Sequence, residues 1–503
     1  MHLKLVAIAA LVSFFANWQF AYQITYVNTA VGTFFVLANH AYSITQNCTQ
    51  CLLPYKSWST QWSFIVASFY PGTIIGFLVV PTLADRFGVR RSFIFTCIPA
   101  IFGCVLQLTA RLAANINSIF FDVVLCVGRI LVGVQAGSSL CLLPLFIVEI
   151  SPMEYRSLLS TFQQASQSLS TVIGFVIGSE HLFTMGAYRF EWMQVIALVP
   201  SLAFFITLLS LPETPRHCFL HTCDFVRVSK AVTFYHGHRN VSNARRELLL
   251  ETGGSRYGRE EWNPVAIKGL LLGCIAAISF AFTADDLIDT FSAYIIHSTS
   301  DSGTGAQTDL RSELLTISLG VILVFSSVFG SLLIDKYGRR PLLIAGLIGT
   351  SLSNSIVAVN SFVKSPILTA IAFALTKCFI GLGAGAPAWF LTSELVPPGM
   401  MLTCQTLSTG LLLVTTGIIT LLFLTMERAF STLSILIVAS GPALTSAILL
   451  FVFLPETRNK PYAMISAELD EHFFSGLHAT RSFGSPKTDY GSIDNDDQSE
   501  PLV

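Results

Sequence analysis

Apolar residues run along this chain in stretches far longer than the alternation of a strand or the one-sided stripe of a surface helix. Twelve such runs stand near 5-27, 62-84, 92-112, 122-146, 158-179, 191-212, 265-296, 314-334, 341-360, 366-395, 403-426 and 429-454. About 20 apolar residues cross a bilayer as a helix, and only a helix or a closed barrel satisfies its backbone there, so each run predicts one spanning helix. The first run opens MHLKLVAIAALVSFFANW like a secretory leader, but Asn17, Trp18, Gln19 and Tyr22 stand where small residues would mark cleavage. It reads as a retained first helix.

Composition agrees, with 52% hydrophobic and 12% charged residues, the latter about half the share of a soluble chain. A net charge of -1 implies no nucleic-acid partner. Positive charge is unevenly spread. Arg86, Arg90, Arg91 and Arg156, eight arginines and lysines between 213 and 262, and Lys336, Arg339 and Arg340 fall on alternate connections, whereas each of the others holds about one. That bias places both termini and the long linker in the cytoplasm. The first connection on the opposite side then carries the sequon Asn47-Cys48-Thr49, which makes Asn47 an expected glycosylation site. Cys48 and Cys51 leave a local disulfide open there, and most of the 11 cysteines fall inside apolar runs as small core residues.

The connections repeat. Asp85-Arg86-Phe87-Gly88-Val89-Arg90-Arg91 follows the second run and Asp335-Lys336-Tyr337-Gly338-Arg339-Arg340 the eighth, 250 residues on. Glu149-Ile150-Ser151-Pro152 and Glu394-Leu395-Val396-Pro397 follow the fourth and tenth, 245 apart, and Pro212-Glu213-Thr214 and Pro455-Glu456-Thr457 close the sixth and twelfth, 243 apart. One basic turn after a helix merely anchors it at the headgroups; three matched pairs in order describe a duplication. The expected organisation is an N-terminal half over 1-212, a cytoplasmic linker over 213-263, a C-terminal half over 264-457 and a disordered tail over 458-503. Halves of this kind rock around a site near the middle of the membrane. Asp85, Arg86, Arg90, Glu149, Arg156, Asp335, Arg339 and Glu394 are the candidate gating ion pairs. Partly solvated pairs are worth roughly 0 to 1 kcal/mol each, weak enough to break during a transport cycle.

GRILVGVQAG, VEISPMEYR, LPETPR, DKYGRRP, PAWFLTSELVP and LPETR resemble the signatures of the facilitative glucose transporter family, sugar porters of the major facilitator superfamily. The likeness runs from NWQFAYQITYVN in the first helix to the end of LPETR, and this chain reads as a divergent member. The resemblance implies an all-α membrane protein with twelve transmembrane helices in two six-helix halves, the major facilitator fold. It puts the family's sugar-binding glutamine of the fifth helix at Gln164, its tenth-helix tryptophan at Trp389 and its seventh-helix asparagine at Asp289. Other pocket amides are missing: Thr283 and Ala284 stand near the family's glutamine pair, Leu323 and Leu412 replace asparagines, Gly381 replaces a glutamate, and PPGMM removes the arginine after the tenth helix. Proton-linked relatives face a first-helix aspartate with a fourth-helix arginine; Arg129 is present, but its partner position is Gln23, which cannot titrate. Facilitated diffusion is therefore expected.

FTADDLIDTFSAY sets three carboxylates inside the seventh run, where an ionisable group costs about 2.5 to 3.5 kcal/mol and usually faces a cavity or a partner. Asp286 and Asp289 share a helical face, and Lys377 of the tenth run is the expected partner of one of them. Asp285, pointing elsewhere, is expected to be solvated. Gln164 and Gln167 share one face of the fifth helix with Ser168 and Thr171. The expected substrate-binding set is thus Gln23, Gln164, Gln167, Asp286, Asp289, Lys377 and Trp389. Glycines at 381, 383 and 385 with Pro387 predict a hinge in the tenth helix.

The expected function is a secondary carrier moving a sugar or sugar-like polar molecule across the plasma membrane by alternating access. The alternatives are a carrier of charged organic solutes, proton-linked or not, and a transporter-like receptor that moves nothing. No phosphate loop, metal-ligand cluster or nucleophile triad occurs, so no enzyme activity, cofactor or metal is expected. The partners are a small-molecule solute and the lipid bilayer, with an endocytic adaptor suggested by Tyr490 in the polar tail.

Overall fold

The computed structural model describes residues 3–48, 51–151, 156–184, 186–218, 225–237, 262–299, 309–397, 400–431, 433–458, 460 and 462–471. Every element among them is helical. Eleven helices are long and apolar enough to cross a membrane. The fifth span, Arg156–Gly178, has the length, at 23 residues, and a lower hydropathy because of its glutamines and serines. With it the described residues make twelve spans, six before and six after residues 213-263.

Among the spans that depart from a plain helix, three bear on the site. Span 1, Leu3–Thr29, continues past a kink as Val31–Thr45, well beyond the apolar run. Span 7 is two helices, Pro264–Ala281 and Asp285–Ser298, where the sequence predicts one. Between them Ala284 takes the left-handed conformation, φ 66°, which ends the first helix and restarts the chain at Asp285. In span 10, Pro366–Phe379 and Gly385–Leu395 flank a wide π turn over Ile380–Ala384, at the expected hinge. Glycine there also lets spans touch: a Cβ on Gly330 of span 8 would lie 1.9 Å from the Gly381 carbonyl oxygen.

The duplication seen in the sequence is a duplication of hydrogen bonds. Gly88 and Gly338, with φ of 88° and 99°, turn the chain between spans 2 and 3 and between spans 8 and 9. The Glu213 carboxylate accepts from the Arg90 N–H at 3.0 Å; Glu456 accepts from Arg339 and Arg340 N–H at 3.0 and 3.2 Å. Each carboxylate thus sits at the N-terminus of a helix in its own half, where the helix dipole favours a negative charge. Arg90 Nε donates to Leu208 O at 2.7 Å and Arg340 Nη2 to Phe451 O at 2.6 Å, tying span 3 to span 6 and span 9 to span 12.

This is the face that carries the linker. Its helix Phe225–His236 buries Tyr235, whose hydroxyl donates to Pro212 O at 2.9 Å. The tail also begins with structure rather than the disorder expected from its composition. Tyr462–Glu471 is a helix that buries Ile465 and Leu469 against the C-terminal half, because those two apolar residues share one of its faces. Tyr490 lies outside the described residues. At the far face Cys48 and Cys51 are joined by a disulfide, and Asn47 beside them is exposed.

The halves meet across the far face. Glu313, at the start of span 8 and buried, accepts from Ser179 Oγ at 2.5 Å and from the N–H groups of Glu180 and His181 at 3.2 and 3.3 Å. Arg428 of span 11 reaches Lys56 O and Thr60 Oγ1, each at 3.4 Å.

Candidate functional site

The break in span 7 exposes backbone polar groups inside the bundle, and neighbouring spans satisfy them. Asn354 of span 9 donates from Nδ2 to Thr283 O at 3.0 Å and accepts from Thr376 Oγ1 of span 10 at 3.2 Å. One buried amide therefore fixes the break against the turn that carries Lys377. Broken spans whose half-helix ends face a central site are a recurrent device of carriers.

Lys377 is fully buried. Its Nζ donates to Asp285 Oδ1 at 2.5 Å and lies 3.3 Å from Asp285 O. Asp289 Oδ1 is 2.6 Å away, an ion contact outside hydrogen-bond geometry. The expected pairing with Asp289 is therefore present, but the second carboxylate is Asp285, not Asp286. The expectation of a solvated Asp285 assumed a continuous helix. Restarting at Ala284 puts Asp285 and Asp286 in the first turn of a new helix, where Asp285 and Asp289, four residues apart, face span 10 together. Asp286 is half-buried and makes no ion pair with Lys377.

Asn28 of span 1 holds the other side of the half-helix. Its Nδ2 donates to Ser292 Oγ and Asp289 O, both at 2.9 Å, and its Oδ1 accepts from Ala293 N at 3.0 Å. All of these groups are buried, and the contact joins the two halves. Sequence reasoning passed over Asn28 and Asn354. Asn28 and Asn354 are amides in or at the end of apolar runs, a signal they share with Asn17, Gln19, Gln23 and Asn360, so it does not single them out.

Gln23 does face Arg129, as the motif alignment implies, but through its backbone. Arg129 Nη2 lies 3.3 Å from Gln23 O and 3.4 Å from Val66 O. The guanidinium is buried beside the Phe69 ring and the Tyr26 and Tyr70 hydroxyls, and none of its partners is a carboxylate. Gln164 Nε2 reaches Ser327 Oγ of span 8 at 3.5 Å, and Ser168 Oγ stands 3.4 Å from the same hydroxyl, so this face of span 5 looks across to the other half. Gln167 is half-buried on span 5. Trp389 is half-buried on span 10, 5.6 Å from the Phe280 ring, with its carbonyl held by Gln405 at 2.5 Å.

Of the gating residues, Arg339 and Glu394 come together at 3.4 Å, and Glu394 also accepts from Thr457 Oγ1 at 2.5 Å. The Arg90 guanidinium is bound to span 6 carbonyls, which end a helix and accept freely, while only its backbone N–H meets the Glu213 carboxylate. Asp85 and Arg86 are exposed and join no ion pair among the described residues. The side chains of Arg156 and Asp335 lie outside the described residues. Glu149 is half-buried at the end of span 4.

The site is a set of buried and half-buried side chains, drawn from spans 1, 4, 5, 7, 8, 9 and 10. Residues 5–469 match the family described as Sugar (and other) transporter. The glucose transporter GlcP of Staphylococcus epidermidis is 26% identical over 422 residues, spanning 82% of this chain and 90% of that one. Polyol transporter 5 of Arabidopsis thaliana is 25% identical over 449 residues, spanning 82% and 79%. Among solved structures, the inward open conformation of the xylose transporter XylE from E. coli superposes with a TM-score of 0.74 at 19% identity, covering 92% of this chain and 99% of that one. The fold is that of the major facilitator superfamily, and this multi-pass membrane protein belongs to the Sugar (and other) transporter family.

Proposed function

We propose that this chain carries a sugar or polyol through the plasma membrane by alternating access, down the solute's own gradient. The observation that carries the reading is the family match through both halves, from residue 5 to 469, around a seam lined by polar side chains of both. Gln164 and Gln167 from one half, and Trp389 from the other, offer amide hydrogen bonds and an aromatic face, the chemistry that suits a ring with hydroxyls on its edge and C–H groups on its face. Asp289 and Lys377 bind each other and shape the broken span rather than meeting solute directly. Downhill movement is inferred from Gln23, which stands at the first-helix position facing Arg129 and cannot titrate.

In this reading the cycle exchanges two sets of contacts. Opening the far face separates Asn28 from the second helix of span 7 and Glu313 from Ser179, while the linker-face motifs, Arg339 with Glu394 among them, hold the opposite side. Asp85, Arg86, Glu149, Arg156 and Asp335 belong to that side by position. Both termini lie in the cytoplasm and Asn47 outside, in keeping with the charge bias. Catalysis forms no part of the proposal.

An uptake panel in proteoliposomes tests it: hexoses, polyols, urate and organic ions, each with and without a pH gradient. Saturable uptake of a sugar or polyol, unchanged by the gradient, is the expected result. Uptake confined to solutes without a hydroxyl-bearing carbon skeleton would overturn it.

A further inference from the structure

Away from the seam, a cavity of about 530 Å³ opens between the far-face ends of span 2, which begins at Lys56, and span 4, Ser118–Ile150. Exposed apolar side chains on the same two helices, Phe64, Phe120 and Val123 among them, mark this flank as one that meets lipid. The cavity therefore opens onto the edge of the bilayer.

Its walls change with depth, because span 2 and span 4 both run inward from the far face. Lys56 stands at the mouth. Arg428 of span 11 reaches the same rim, its guanidinium 3.4 Å from Lys56 O and from Thr60 Oγ1, so two cations, one from each half, lie there together. Five residues along span 2 from Lys56, a rise of about 7 to 8 Å, Gln61 lines the next level. Its Nε2 donates to Asp122 Oδ1 of span 4 at 2.5 Å, which holds a half-buried carboxylate in the cavity wall. Asp122 meets no cation within ion-pair distance among the described residues. One turn deeper Phe64, Ile65 and Cys126 make the wall apolar.

Two cations at the rim suit a phosphate group, and an apolar groove beneath suits an acyl chain. The level between them is the selective one. There a glycerophospholipid presents ester oxygens, which only accept and would oppose an ionised carboxylate, whereas a sphingolipid presents an amide N–H and a hydroxyl, the donors a carboxylate needs. We propose that this cavity binds a phosphosphingolipid, with Lys56 and Arg428 on its phosphate and Asp122 as the group that distinguishes its sphingoid backbone from a diacylglycerol. Because the rim takes one cation from each half, the bound lipid also ties the halves together at the far face.

Native mass spectrometry of the full chain, released from micelles holding sphingomyelin and phosphatidylcholine in equal amounts, tests the site. The two lipids share one headgroup and differ in the backbone that Asp122 would meet. Sphingomyelin adducts are expected to exceed phosphatidylcholine adducts about tenfold, Asp122→Ala should bring the two near parity, and Lys56→Gln should weaken both alike. Melting curves of the purified variants show that they fold, and the wild-type comparison stands without any variant. Equal adducts of the two lipids on the wild type, a preference that Asp122→Ala leaves intact, or adducts that Lys56→Gln leaves undiminished would each overturn the proposal.

Discussion

The ammonium of Lys377 lies 2.5 Å from the carboxylate of Asp285, a contact that runs from the middle of span 10 to the first residue of a half-helix beginning inside the bundle. With Asp289 at 2.6 Å it makes one cation shared by two carboxylates, all three nearly or wholly buried. The contact helps offset the left-handed backbone at Ala284, a conformation that costs an L-residue about 1 to 2 kcal/mol.

Removing one member of a desolvated cluster strands the others, at roughly 3 to 5 kcal/mol, whereas neutralising all of them can be nearly free. Lys377→Ala is expected to lower the yield of folded protein at the membrane sharply. Adding Asp285→Asn together with Asp289→Asn should restore most of it, and adding Asp286→Asn should restore little. Fluorescence-detected size exclusion reads all of these. Rescue by Asp286→Asn equal to rescue by the other pair would contradict the geometry.

Asn28 holds the far face shut through a half-helix of the other half. Asn28→Ala leaves buried carbonyls and a hydroxyl without their donor, at about 1 to 3 kcal/mol charged to the closed state alone. A cysteine introduced at Leu424, which lines the closed gap between spans 1, 2, 7 and 11, should then react with an impermeant maleimide about tenfold faster. An unchanged rate would show that Asn28 serves packing without gating.

How far the sequence led can be judged residue by residue. Run lengths gave the spans, and the offsets of 250, 245 and 243 gave the halves, because burial in lipid and duplication both leave their mark on spacing. Lys377 and Asp289 could be paired in advance, since lone charges in apolar runs need each other. The partner Asp285 could not be read, because it depends on a helix break at Ala284 that has no glycine or proline to announce it. Tertiary contacts hold the break, Lys377 at Asp285 and Asn354 at Thr283 O, and contacts of that kind are invisible to local pattern. The motif arginines misled in the same way: Arg90 suggests an ion pair by its charge, and its actual acceptors are backbone carbonyls, which have no sequence signature.

The paired caps Glu213 and Glu456 perform one task twice. Each meets the N–H groups of a helix start, a contact worth about 0.5 to 2 kcal/mol by analogy with helix caps. Glu213→Ala and Glu456→Ala are each expected to lower the melting temperature by a similar few degrees. A large effect of one with none of the other would show that the halves no longer use the motif alike.

Asn47 is exposed beside the Cys48–Cys51 disulfide in the far-face connection. Protein from eukaryotic cells should shift in mobility on glycosidase treatment, and Asn47→Gln should abolish the shift. A wild-type band that does not move counts against glycosylation at Asn47.

The central claim is that two related halves alternate access to one sugar site, and counterflow tests it most directly. Proteoliposomes are loaded with an unlabelled transported sugar and diluted into a trace of the same sugar carrying a label. A carrier that returns faster loaded than empty should accumulate label transiently above equilibrium, and Lys377→Ala refolded into liposomes should lose the overshoot. Saturable binding of the labelled sugar with no overshoot and no net flux would contradict the account and make the protein a receptor built on a carrier's fold.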